Sequence, residues 1–224
     1  KIHGLCKAHG AEPSATQSLA AVVSRRGEVA QAGPSMMLIG ASTGGPAVIM
    51  DILSTLPANF PAAIVIAQHI DPEFVKGLAE WLGGHSKNPV KLAEAGERIT
   101  AGTVYIAASD RNLIMSAPDR LDYTDEPKGS FYKPCINALF TSAARQCGKN
   151  SAAVLLTGMG SDGAEGLLAL KQAGIATAAQ DAQSCVVYGM PRAAAALGAA
   201  ALIATPSDIS DFLIHKFIGN TQHG

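Results

Sequence analysis

The chain has 224 residues, 48% apolar and 16% charged, with 17 basic residues against 18 acidic ones for a formal charge of −1. That is the balance of a globular protein with a sizeable core, without a charge signal for nucleic acid or a Lys/Arg run dense enough for membrane lipid. The cysteines, Cys6, Cys135, Cys147 and Cys185, form no Cys-x-x-Cys pair, which argues against a zinc knuckle, a redox dithiol or a disulfide scaffold and makes a reducing cytoplasm the expected compartment.

Residues 1–35 are rich in Ala, Ser, Gly and Gln and lack sustained alternation, so they read as a linker or tail with a weak helix over Ser14 to Val29. A start at Lys1 and not at methionine is expected of a fragment, a processed product or, equally, a cloning artefact. The apolar stretches Ala62 to Ala67 and Ala193 to Ala204 are shorter than the roughly 20 residues that cross a bilayer, and no signal-peptide core precedes them.

From Met36 the texture changes. Met36 to Gly40 predicts a strand, Gly44-Gly45 a tight turn, and Pro46 the first turn of a helix over Ala47 to Leu56. Ala62 to Ala67 predicts a strand buried on both faces, followed by Gln68-His69 and a helix from Glu73 to Leu82. Thr103 to Ala107, Asn112 to Ser116 and Leu121 to Tyr123 read as short pieces of an antiparallel hairpin region inserted between parallel units. Helices are then expected over Asn137 to Gln146, Gly163 to Gln172 and Pro191 to Leu197, interleaved with strands at Ala152 to Thr157, Ile175 to Ala179 and Ala200 to Ala204. Ser207 is the expected cap of a closing helix that ends near Phe217. The pattern is α/β: a doubly wound, mostly parallel sheet with helices on both faces and an inserted antiparallel hairpin. The folded domain spans 36–218 in this reading, with a C-terminal tail at 219–224.

In such sheets ligands sit beyond the carboxyl ends of the strands, and three strand ends carry chemistry. Gly40-Ala41-Ser42-Thr43-Gly44-Gly45-Pro46 puts Ser42 on a sharp turn beside a helix start, as a nucleophile would be, although a phosphate-cradling turn has equal claim from the loop alone. His69 follows the next strand on the same edge, within reach of Ser42 as a base. Thr157-Gly158-Met159-Gly160-Ser161-Asp162-Gly163 brackets Asp162 with glycines; it could orient the imidazole or cap the helix that starts near Gly163. Asp181 competes for the third role, Asp71 more weakly, and spacing alone does not choose between Asp162 and Asp181. Serine, histidine and aspartate at three strand ends of one sheet point to acyl transfer more specifically than any one of them.

These segments, with Ala179-Gln180-Asp181 and Tyr188-Gly189-Met190-Pro191, resemble the bacterial chemotaxis receptor methylesterases of the CheB type, in the family's order and over roughly Met36 to Leu213. The resemblance implies a catalytic triad of Ser42, His69 and Asp162, choosing Asp162 over Asp181, with the Met159 backbone amide as an oxyanion donor; an amide near Thr43, at the turn before the helix, is the expected second donor. It implies hydrolysis of glutamyl methyl esters on the cytoplasmic helices of methyl-accepting chemosensory receptors, with release of methanol and no metal or organic cofactor. Deamidation of glutamines on the same receptors is the alternative, and a non-catalytic phosphate- or receptor-binding module the third reading. It also implies an N-terminal receiver domain, for which the chain is too short before Met36. The Gln68-His69-Ile70-Asp71 and Ala79-Glu80-Trp81-Leu82 segments are similar to the branch serving surface-sensing (Wsp-like) clusters. Three positions depart from the family's pattern: Asp71 where proline is expected, Lys133-Pro134-Cys135 in place of Arg-Pro-Ser, and Asn112 in place of histidine.

Overall fold

The computed structural model describes residues 34–108, 110–128 and 132–219. The expected linker and its weak helix, and the expected C-terminal tail, lie outside these residues apart from Pro34, Ser35 and Gly219. Seven parallel strands form one sheet in the order β3-β4-β2-β1-β7-β8-β9. They are β1 (Met36–Ala41), β2 (Ala63–Gln68), β3 (Val90–Leu92), β4 (Val104–Ile106), β7 (Ala152–Leu155), β8 (Ala176–Gln180) and β9 (Leu202–Ala204). A separate antiparallel hairpin pairs β5 (Asn112–Ala117) with β6 (Arg120–Thr124). The helices are α1 (Gly45–Thr55), α2 (Pro72–Gly83), α3 (Ile136–Gln146), α4 (Ala164–Gln172), α5 (Met190–Ala196) and α6 (Pro206–Ile218).

Central strands such as Met36–Ala41 and Ala63–Gln68 are buried at every position, which is why they read as solid apolar runs rather than alternating ones. Alternation survives only as a choice between two cores. Met36 and Leu38 join the cluster that holds Ile136, Leu139 and Phe140 of α3 and Leu167 and Leu170 of α4. Met37 and Ile39 join the opposite cluster, with Ile49 and Ile52 of α1, Leu82 of α2 and Leu213 of α6. The hairpin adds Leu113, Met115 and Leu121 to the first cluster, and Met115 N–H donates to Ser142 Oγ on α3 at 3.0 Å.

Two expectations are corrected. Thr103 to Ala107 is not part of the hairpin region: β4 lies inside the parallel sheet between β2 and β3. The edge strand β3 was unforeseen, because Val90-Lys91-Leu92 is three residues long, only half-buried and interrupted by a lysine. At the closing helix the cap is Thr205, whose side chain accepts from Asp208 N–H, with Pro206 opening the helix; Ser207 lies one residue inside it and is exposed. Among the described residues no helix is long and apolar enough to cross a membrane.

The order of winding reverses at β1: the chain builds outward to β2, β4 and β3 on one side, then returns to β7, β8 and β9 on the other. The crevice at such a reversal is where an open α/β sheet binds ligands.

Candidate active site

Register brings the strand ends together. Ala41 pairs with Gln68 and Gly40 with Leu155, so the residues that leave the sheet at this edge, Ser42, His69 and the Thr157 loop, emerge side by side at the reversal point. Backbone bonds extend the pairing one step: His69 N–H donates to Ala41 O and Ser42 N–H to Thr157 O, each at 3.0 Å. Gly44, with φ of 82°, turns the chain immediately after Ser42 and Thr43 so that α1 can begin, and Gly45 N–H closes the turn on Ser42 O at 2.8 Å. Ser42 ends 8% exposed at the base of the crevice.

His69 Nε2 lies 2.8 Å from Asp162 Oδ2, and the two side chains are 7% and 10% exposed. The carboxylate has further partners: Ile136 N–H donates to Oδ2 at 2.8 Å, Asn137 N–H to Oδ1 at 2.9 Å, and Cys135 Sγ stands 3.5 Å from Oδ1. Asp162 therefore caps a helix, as its position before a helix suggested, but the helix is α3, contributed by a distant segment, and not the one that follows it. Burial pushes the Asp162 carboxyl up, but the hydrogen bonds from His69 and from the Asn137 and Ile136 amides outweigh it and hold the group below the usual carboxylate range. An ionised carboxylate can only accept, so Nε2 carries the proton of a neutral His69 and Nδ1 carries the lone pair. Nδ1 is buried and has no hydrogen-bond partner among the described residues. An uncommitted basic nitrogen on a strand end adjacent to that of Ser42 suits proton abstraction from a serine hydroxyl.

Glutamines brace the two neighbouring loops. Gln68 Nε2 donates to the carbonyls of Ser42 and His69 at 2.9 Å, and Gln180 Oε1 accepts from Thr157 N–H at 2.9 Å. Gly158 packs directly beneath the serine: a Cβ there would fall 2.6 Å from Ser42 Cβ and 2.5 Å from Met190 Sδ. The Thr43 and Met159 backbone amides donate to no described residue, and both residues are exposed at the crevice rim. Asp181, the rival for the third role, is engaged elsewhere: its Oδ1 accepts from both the N–H and the hydroxyl of Ser184. Asp71 accepts from Glu73 N–H as the cap of α2. Among the described residues no group of three or more His, Cys, Asp or Glu could hold a metal ion.

Sequence reasoning missed the segment that meets the His69–Asp162 pair. Tyr132 stacks on the His69 ring with centroids 4.6 Å apart and planes 7° from parallel, while Cys135, Ile136 and Asn137 surround the carboxylate. Backbone amides and a loop aromatic carry no spacing signal; the start of a helix at Ile136, opposite an acidic strand-end loop, was the one clue available.

Known proteins resemble the chain in both sequence and fold. The CheB methylesterase family model matches residues 37–213. A protein-glutamate methylesterase/protein-glutamine glutaminase of Bordetella avium is 47% identical over 183 residues, which cover 82% of this chain and 54% of that protein. Its counterpart in Cupriavidus metallidurans is 41% identical over 214 residues, 96% of this chain and 62% of that one. The chain thus spans about half the length of the curated relatives it matches. The crystal structure of the Thermotoga maritima CheB methylesterase catalytic domain superposes with a TM-score of 0.77 at 36% identity, over 81% of this chain and 98% of that domain. In sequence, in topology and over most of its length, this chain belongs to the CheB methylesterase family.

Proposed function

We propose that the chain is the catalytic portion of a serine hydrolase that demethylates glutamyl methyl esters on methyl-accepting chemosensory receptors. The observation that carries this reading is the Asp162-held His69, whose Nδ1 is buried and unpartnered among the described residues and whose strand end emerges next to that of Ser42. Family membership and the names of the relatives supply the bond and the class of substrate. In this reading residues 36–218 are the catalytic domain, 1–35 a linker and 219–224 a tail, and the regulatory partner is a receiver domain. The receptor helices at issue lie in the cytoplasm.

The Ser42 hydroxyl attacks the ester carbonyl as His69 Nδ1 takes its proton, and the Thr43 and Met159 amides receive the developing oxyanion. The Ser42–His69 bond, unformed in the free site, closes when substrate engages. His69 returns the proton to the departing methoxide, methanol leaves, and a glutamyl-Ser42 ester remains. Water, deprotonated by the same nitrogen, then attacks the acyl carbon, and the proton passes from His69 to Ser42 Oγ as the ester bond breaks and the free glutamate leaves. Asp162 keeps the proton on Nε2 and balances the imidazolium formed in each half-reaction.

A second reading, deamidation of glutamine with ammonia leaving in place of methanol, is favoured by the double name that the relatives carry. Methanol and ammonia release from methylated receptor membranes, measured beside Ser42→Ala, tests both. Methanol that disappears with the variant supports the esterase; ammonia alone supports the deamidase. Loss of neither product with Ser42→Ala would overturn the nucleophile.

A further inference from the structure

A single hydrogen bond at Nε2 leaves an imidazole free to rock about that contact, and the lone pair on Nδ1 lies in the ring plane, so any tilt of the ring misdirects it. We propose that Tyr132 is a positioning residue that sets this tilt: its ring, 4.6 Å from His69 and 7° from parallel, is a plate against which the base is held while Nδ1 works. This rests on the reading of His69 as the base.

The plate is itself fixed. Asn112, fully buried, donates from Nδ2 to Glu126 O at 2.9 Å and accepts on Oδ1 from Cys135 N–H at 2.8 Å, which ties together the two ends of the segment that carries Tyr132. Three residues after Cys135's neighbour Pro134, the chain has already delivered the Ile136 and Asn137 amides to Asp162. One short stretch, residues 132–137, thus holds the ring by its face and, through the carboxylate, by its Nε2 edge. Tyr132 also stands over the Met159-Gly160 loop: Gly160 has φ of 87°, and a Cβ placed on it would lie 3.7 Å from the Tyr132 hydroxyl oxygen. The aromatic face of Tyr132 is what stacks on His69.

The experiment follows covalent labelling of Ser42 by a fluorophosphonate, which needs the activated serine but no receptor, and separates the limiting rate from the half-saturating probe concentration. A base displaced by about an ångström costs on the order of 10²-fold, so Tyr132→Leu is expected to lower the limiting rate about 10- to 100-fold with probe affinity nearly unchanged. Tyr132→Phe, which keeps the flat face, is expected to restore most of that rate. Wild-type rates in Tyr132→Leu, or a loss in Tyr132→Phe equal to that in Tyr132→Leu, overturn the proposal. A second readout does not depend on the Tyr132 variants folding: in the wild-type chain the His69 Cε1 proton, assigned against His69→Ala, must show the upfield ring-current shift of a stacked neighbour, and its absence overturns the stack. Methanol release is measured on the same preparations. Labelling without methanol counts against the esterase reading alone, whereas methanol release with a Tyr132→Leu variant that labels normally counts against the positioning role alone.

Discussion

At the scale of residues, Asp162 is the side chain with most depending on it. Replacing it with alanine strands the Ile136 and Asn137 amides and His69 Nε2–H, so Asp162→Ala should lose about 1–3 kcal/mol of stability, read by urea unfolding. Asp162→Asn keeps an acceptor for the helix but lets the imidazole carry its proton on the wrong nitrogen; turnover should fall about 10⁴-fold in a chain that still folds. The carboxyl sits below the usual carboxylate range in the folded state. Its contribution is therefore fully present above the unfolded value, about pH 4, and is lost as pH falls through the lower folded value. Urea midpoints of wild type and Asp162→Asn should accordingly converge on acidification below about pH 4, and a gap that stays constant there would sink this account. The resemblance chose Asp162 over Asp181, but nothing in the sequence showed its bonds to α3, because a backbone amide donor is the same at every residue and leaves no signature in residue type.

At the scale of elements, the loops that build the crevice are pressed together by small residues. Gly158→Ala sets a methyl 2.6 Å from Ser42 Cβ, which the serine turn can relieve only by moving. The expected result is about 1–3 kcal/mol of destabilisation from overpacking, together with a loss of labelling at Ser42. The end of the chain offers a cleaner comparison: Thr205→Ala should cost about 1 kcal/mol of helix capping, whereas Ser207→Ala should leave the thermal midpoint in place. Both sequence and structure put a helix here. The misplaced cap came from giving Ser207 the role without weighing Pro206, whose missing N–H suits the first helical position and leaves Thr205 just outside. Strands followed the same logic. Those buried on both faces announced themselves as apolar runs, while β3, half-buried at the edge with Lys91 in its middle, had no pattern to show. Its neighbour β4 was then grouped with the hairpin because nothing else was in view for it to pair with.

At the scale of the whole molecule, one sheet serves two cores, and neighbouring residues of β1 face opposite ones: Leu38 one cluster, Ile39 the other. Truncating either to alanine should cost about 2–5 kcal/mol and shift a single unfolding transition rather than split it, since neither helical layer keeps a floor without the sheet; two separate transitions by fluorescence and circular dichroism would contradict this. The doubly wound architecture and the Ser42–His69 edge were legible because strand ends in a parallel sheet share one side. Tyr132 was not, since it belongs to a loop whose two ends are held by the buried Asn112 rather than to a strand end. That arrangement has a bearing on quality control. The carboxylate that steadies the base is the same one that anchors the start of α3, so a chain in which α3 has yet to dock holds a serine and a histidine but no oriented pair. Nascent or damaged copies without a docked α3 would be chemically silent, and activity would switch on only once α3 is in place.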